Sequence, residues 1–268
     1  MRDLIVVIII LSTLLLLSPF LLLSQEQDYY INKEFISEGL RNTRDVYTSP
    51  LSWDSSDWLE AGIFAGSAVL FYAYDRQLQD FVQDHRSNVL GSLTDVTNYL
   101  GNGYVVLPAE ALLYCYGALA KDEKARRISL EMLESFAIVG VTVNGIKFLT
   151  HRHRPSASDS PYIWDGPSFS THNIAFPSGH ASVAFSWATV LAEEFKDQPA
   201  IGIVSYALAA CTSFARVYNN KHWFSDVFVG AVLSHFITKK IVALHAENDN
   251  NDLTINPSLR GISISFKF

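Results

Sequence analysis

The chain has 268 residues, of which 49% are hydrophobic, 18% charged and 13% aromatic; 20 Lys and Arg against 27 Asp and Glu give a net charge of −7. That length suits one domain with appendages, and the apolar fraction excludes a disordered protein. An acidic chain without a basic run is unsuited to wrapping nucleic acid, so any anion site must be built from a few cations that folding brings together. Cys115 and Cys211 lie in apolar segments and read as two buried small hydrophobes, with a disulfide left open if the chain is exported. Two thiols are too few for a zinc or iron–sulfur framework.

Leu4 to Leu23 is an uncharged apolar run broken by Ser12, Thr13, Ser18 and Pro19. Residues 1–24 are therefore a secretory signal peptide or an uncleaved N-terminal membrane anchor, with Ser24 at a plausible cleavage point. Either outcome sends the rest of the chain out of the cytoplasm, to the periplasm or the membrane. Mean hydropathy is +0.15, and the first 23 residues supply more than the whole positive sum. Of the later apolar runs, only 199–215 approaches the ~18 residues of an unaided span. The body is either a compact helical domain in an aqueous compartment or a bundle of short, polar-interrupted spans.

Residues 25–60 lack sustained periodicity and form a loosely structured lead-in. Ala61–Tyr74 is helical, and the polar stretch Asp75–Arg86, with Leu78, Phe81 and Val82 at helical spacing, lies along a surface. Further helices follow over 104–120, over 129–150 with Ser129 as N-cap, and over 179–195, 200–216 and 225–245. Pro155 ends the 129–150 helix, because the residue before a proline avoids the α region. Residues 156–176, rich in Ser, Pro and Gly, make a loop long enough to be functional. The expected fold is all-α: about six core helices with the active site at one end of the bundle. Residues 247–268 are a polar linker with a turn at Asn256–Pro257, then a strand-like tail in which Ile262, Ile264, Phe266 and Phe268 alternate with polar residues.

Three segments carry chemistry. In Lys147-Phe-Leu-Thr-His-Arg-His-Arg154-Pro155 the two outer cations are seven residues apart, which places them on one helical face where they can converge on an anion. Standing alone, the segment is an ordinary basic helix end favoured by the macrodipole. In Pro177-Ser178-Gly179-His180, a Ser-Gly turn opening a helix presents N–H groups and a hydroxyl to an anion, and His180 projects beside it. In Arg216-Val-Tyr-Asn-Asn-Lys-His222-Trp-Phe-Ser-Asp226, the last His and Asp are four apart, so in a helix their side chains meet. A carboxylate on one imidazole nitrogen leaves the other free as a nucleophile or base.

Together the segments resemble the type 2 phosphatidic acid phosphatase superfamily, which includes bacterial non-specific acid phosphatases, membrane lipid phosphatases and vanadium haloperoxidases. Its three motifs appear in order, over a similarity spanning about residues 61–246, with one departure: Ala215 stands where the family usually has Ser. The resemblance implies a metal-independent phosphatase, without cofactor, acting on phosphomonoesters or diphosphates, above all a lipid phosphate. It implies that His222 attacks phosphorus to give a phosphohistidine, that Asp226 orients His222, and that His180 protonates the leaving oxygen and then activates water. Lys147, Arg154, Ser178, Gly179 and Arg216 would hold the phosphate oxygens. For this chemistry His222 must start neutral and His180 protonated. Alternatives are a vanadium-dependent haloperoxidase, a phosphotransferase using an acceptor other than water, and a non-catalytic phosphate-binding envelope protein. The expected partners are a phosphorylated small molecule or lipid and the membrane, with the active site facing the periplasm and no nucleic acid bound. His151, His153 and His172 are candidates for solvent or substrate contact, less so for a metal, and Tyr162, Trp164 and Phe169 for a lid over an apolar leaving group.

Overall fold

The computed structural model describes residues 29–251, 254–258 and 261–265. The expected signal peptide or anchor at 1–24, and Phe266 and Phe268 of the tail, lie outside the described residues. Eight α-helices occur among them: α1 (Lys33–Thr48), α2 (Ser55–Asp84), α3 (Asn88–Thr97), α4 (Gly103–Ala120), α5 (Glu123–Thr150), α6 (Gly179–Glu194), α7 (Pro199–Tyr218) and α8 (Phe224–Asn251). The fold is the expected all-helical bundle, with α1 and α3 added to the six core helices. The lead-in is thus not loosely structured. Asn32 accepts a hydrogen bond from the Phe35 N–H to start α1, and Asp54 and Asp57 form a reciprocal capping box at the start of α2.

Other boundaries follow from their caps. The α5 helix begins six residues before Ser129, because Asp122 accepts from the Ala125 N–H; the Ser129 hydroxyl instead bonds back to the carbonyls of Ala125 and Arg126 inside the helix. A left-handed Lys121 (φ 57°) closes α4, and a left-handed His151 (φ 41°) closes α5. The polar stretch after Tyr74 continues α2 without a break, and its first residue, Asp75, is fully buried. In the tail, Asn256 and Pro257 sit within a strand: Thr254–Ser258 (β1) pairs antiparallel with Gly261–Ser265 (β2). The expected alternating strand therefore finds its partner in the residues just before it.

The central α6 packs chiefly against α7 and α8. Its Ala184 and Ala188 meet Ala209 of α7, small residues that let the two backbones approach. At the far end from the site, Leu113, Ala125, Ile128, Met132, Val190, Phe195 and Val242 join α4, α5, α6 and α8 in one apolar cluster. Among the described residues four helices, α4, α5, α7 and the Phe224–Glu247 part of α8, are long and apolar enough to cross a membrane. The outward faces of α4, α5 and α7 carry apolar side chains such as Leu112 and Leu119, Val141, and Ile203 and Val204. That arrangement fits membrane association, since faces this apolar need a non-aqueous neighbour. It also corrects the expectation for the thiols: Cys115 and Cys211 are exposed and free, on α4 and α7.

Candidate active site

The first motif does not work by helical periodicity. Because α5 stops at Thr150, Arg154 lies four residues beyond the helix and no longer shares a face with Lys147. The left-handed His151, whose N–H donates to the Lys147 carbonyl at 3.0 Å, turns the chain back across the bundle end. The long loop then folds over it. The His153 N–H bonds the Ile163 carbonyl, the Asp165 N–H the His151 carbonyl, and the Ala175 N–H the Arg152 carbonyl, at 3.0–3.1 Å. Lys147 reaches into this end and donates to the Ile174 carbonyl at 2.6 Å.

The loop aromatics mostly anchor the loop. Tyr162 and Trp164 pack on Tyr72 of α2 with ring centroids 5.2 and 6.0 Å apart, and the Trp164 indole N–H donates to the Tyr72 hydroxyl. Phe169 stacks on Phe148 at 4.6 Å while remaining 93% exposed. His151 is buried, its Nε2 2.8 Å from the Ser170 carbonyl, which corrects a solvent-facing role for it; His153 pairs with Asp165 at 2.9 Å.

The second motif caps α6. Ser178 is fully buried, its hydroxyl accepts from the Ala181 N–H at 3.4 Å, and its own N–H donates to the Asp226 carbonyl at 2.9 Å. The turn is therefore fixed to the start of α8. Contact is backbone to backbone: a Cβ at Gly230 would lie 2.6 Å from the Ser178 carbonyl oxygen. Gly179 and His180 occupy the first turn of α6, where N–H groups lack intrahelical acceptors.

In the third motif, α7 ends at Tyr218 and α8 begins at Phe224, so His222 sits in the connecting turn rather than on a helix with Asp226. The turn is held from α2: Gln79 donates to the Asn220 side chain at 2.6 Å and to the Val217 carbonyl at 3.3 Å. His222 Nδ1 lies 2.7 Å from the Ala175 carbonyl and 3.6 Å from Asp226 Oδ2, so the nearer acceptor is the backbone. Asp226 Oδ2 instead accepts the Trp223 N–H at 2.8 Å, and Oδ1 accepts from Arg152 at 2.5 Å. The expected direct orientation of His222 by Asp226 is thus shared with Ala175. A carbonyl acceptor on Nδ1 fixes the tautomer with Nε2 unprotonated. Ala215, at the departure from the family pattern, is fully buried.

Charge converges on the two imidazoles. Lys147, Arg154 and Arg216 all act on both His180 and His222. Burial, then Arg216, His222, Arg154 and Lys147, push the His180 imidazole down to about 3. Burial and the same three cations hold His222 well below the ordinary histidine range. Burial also lowers Arg154, with Asp226 acting against it. Arg216 is held by Asn98, whose side-chain oxygen accepts from one guanidinium nitrogen, while its Nε is buried with no hydrogen-bond partner. A buried donor without an acceptor costs free energy unless an anion supplies one. Both histidines are therefore neutral at neutral pH. The requirement for a neutral His222 is met; a proton on His180 needs further negative charge in the site.

Several residues that shape the site were not singled out by their pattern. Arg152 is fully buried between Asp75 and Asp226 and also donates to the Ser225 hydroxyl, while Asn98 accepts from Arg216. An arginine inside a motif, flanked by two histidines, was the one signal available. Nothing local marks Asp75, which pairs with a residue 77 positions away.

Two histidines and three cations gather at one end of a helical bundle, and over residues 129–250 the chain matches the model of the PAP2 superfamily. Among curated relatives, the lipid A 1-phosphatase of Porphyromonas gingivalis is 29% identical over 130 residues, covering 48% of this chain and 26% of that protein. The undecaprenyl-diphosphatase of Sulfolobus acidocaldarius is 26% identical over 166 residues, covering 62% of this chain and 75% of that protein. The match therefore spans about a quarter of the Porphyromonas gingivalis relative. Among solved structures, Aquifex aeolicus LpxE aligns with a TM-score of 0.46 and 23% identity, over 62% of this chain and 93% of that one. The first transmembrane PAP2 type phosphatidylglycerolphosphate phosphatase from Bacillus subtilis aligns with a TM-score of 0.49 and 16% identity, over 80% and 95%.

Proposed function

We propose that this protein is a membrane-associated phosphatase that removes phosphate from a lipid phosphomonoester or diphosphate through a phosphohistidine on His222, at a site facing the periplasm. The observation that carries the reading is the convergence of Lys147, Arg154 and Arg216 on the neutral imidazoles of His180 and His222. Phosphoryl transfer asks a protein mainly for positioning and charge stabilisation, and these three cations supply the charge. The curated relatives, named for action on lipid A and undecaprenyl diphosphate, support the lipid class. So do the four long apolar helices and the exposed apolar side chains on α4, α5 and α7.

In the reaction, the Nε2 lone pair of His222 attacks phosphorus while Nδ1 keeps its proton against the Ala175 carbonyl. The bond from phosphorus to the leaving oxygen breaks, and His180 delivers a proton to that oxygen. The arriving phosphate provides the negative charge that favours a protonated His180, offsetting the cations that otherwise hold it neutral. Water then gives a proton to His180 and attacks phosphorus, the P–N bond breaks, and His222 is regenerated. The orphaned Nε of Arg216 is placed to donate to a phosphate oxygen.

The test is phosphate release by the purified full chain in detergent, with lipid phosphomonoester, lipid diphosphate and soluble monoester substrates. His222→Ala should lower kcat by at least about 10⁴-fold. Release from the lipid substrates should exceed that from the soluble one. Wild-type turnover by His222→Ala would overturn the mechanism, and equal turnover of all three substrates would overturn the lipid assignment.

A further inference from the structure

The buried charge behind His222 is more elaborate than a simple His–Asp pair requires. Arg152 has no solvent exposure, and every edge of its guanidinium is used. Nη2 donates to Asp75 Oδ2 at 2.7 Å, and Nη1 to Asp226 Oδ1 at 2.5 Å and to the Ser225 hydroxyl at 2.7 Å. Nε and Nη2 share the Pro161 carbonyl at 3.0 and 2.9 Å. Tyr72 and Trp164 each lie 4.9 Å from the guanidinium carbon, closing the faces of the plane. Asp75 in turn accepts the Ser225 N–H at 2.9 Å and the Ser225 hydroxyl at 2.5 Å, so both of its oxygens point at donors.

This arrangement controls both groups that face His222 Nδ1. Through its side chain, Arg152 holds the Asp226 carboxylate; through its backbone carbonyl, it accepts the N–H of Ala175, whose own carbonyl lies 2.7 Å from Nδ1. We infer that Asp75 and Arg152 are positioning residues for the reaction: Asp75, from α2, locks Arg152, and Arg152 sets the Asp226 carboxylate and the Ala175 carbonyl against His222. The inference rests on the phosphatase reading above. Asp75 lies outside the stretch that matches the family model. A fork rather than a point charge is required, because a guanidinium can bridge two carboxylates in one plane and an ammonium cannot.

Charge gives the inference a signature beyond loss of structure. His222 is faced by Lys147 from α5, Arg154 from the loop, Arg216 from α7, His180 from α6 and Asp226 from α8, with Arg152 behind Asp226. Asp75 and Asp226 together outnumber Arg152 by one negative charge. Asp75→Asn removes that excess and forces an amide N–H₂ against a donor. The expected result is a kcat about 10- to 100-fold lower with KM within about threefold, and an acid limb of kcat/KM displaced to lower pH, because added net positive charge disfavours the imidazolium. In Asp75→Asn/Arg152→Gln the charge balance is restored, so the limb should return to its wild-type position while kcat stays low. Asp75→Glu keeps the charge and shifts the carboxylate, so kcat should fall several-fold with the limb unmoved.

Wild-type His222-dependent phosphate release, measured first with the full chain, tests the phosphatase reading separately. Given that activity, an Asp75→Asn enzyme with unchanged kcat and limb overturns the inference. So does a lower kcat with an unmoved limb, matched by a lower folded fraction in thermal melting, which marks a purely structural role. If Asp75→Asn does not fold, Asp75→Glu decides: wild-type kcat in that variant overturns the inference, and several-fold loss at unchanged melting temperature sustains it.

Discussion

Two buried charge clusters stand at opposite ends of the bundle. One is centred on Arg152 beside His222. The other surrounds Glu131 and Glu134 in the first half of α5, about 20 Å from Lys147 by helix rise. There Glu134 accepts from Asn42 of α1 at 3.0 Å and lies 2.7 Å from His245 of α8, while Arg127 bridges Glu131 and Glu194 of α6 at 3.0 Å each. This far cluster ties four helices together and leaves Glu131 Oε2 without a partner. The Arg152 cluster leaves no donor of its guanidinium unused and ends on the Asp226 carboxylate that faces His222. Buried charge thus pins helices at one end and, in the proposed reaction, aims the His222 imidazole at the other.

The sharpest division between the ends comes from His180→Gln, which should lower kcat by about 10²- to 10⁴-fold, the range for a lost general acid and base. Its effect on stability should depend on pH. His180 stays neutral in the fold down to about 3, whereas the unfolded chain takes up a proton below ~6.5. Unfolding is therefore favoured as pH falls from ~6.5 toward the folded value, and the variant should lose less melting temperature than wild type across that window. A variant whose melting curve follows wild type at every pH would remove His180 from this account.

The far end should respond in the opposite sense. Glu134→Ala leaves His245 and Asn42 unpartnered and should cost about 3–5 kcal/mol, the usual loss when one member of a buried pair is removed. Its kcat per folded molecule should match wild type; a large fall in kcat at low temperature would show that the two clusters are coupled. The smallest effect is expected from Asn98→Ala, which frees Arg216 without removing it. KM should rise a few-fold with kcat nearly unchanged, as for a lost contact that steadies ground and transition states alike.

The helices and the three motifs were legible because each is a local pattern: apolar periodicity, a Ser-Gly turn at a helix start, cations at short spacings. The geometry inferred from those spacings was less secure. Lys147 and Arg154 are brought to the same end of the bundle by a left-handed turn and a folded loop, and His222 precedes the helix that carries Asp226. Both expectations assumed helix where a cap had already ended it. The exposure of Cys115 and Cys211 went the other way from expectation because helices suited to a membrane turn apolar faces outward. Asp75 looked like the first residue of a polar surface stretch; only folding brings Arg152 to it, and no short-range spacing encodes such a meeting.

The short 3₁₀ turn at Asn98–Gly101 has one further consequence. It presses so closely on α6 that a Cβ at Gly101 would fall 2.6 Å from the His180 carbonyl oxygen and 2.7 Å from the Thr212 methyl carbon, while Asn98 grips Arg216. Trimming the chain to residues 129–250 would strip the wall from behind one imidazole and the tether from one guanidinium. The smallest excisable unit that keeps this arrangement should therefore be larger than residues 129–250 and must include Asn98–Gly101.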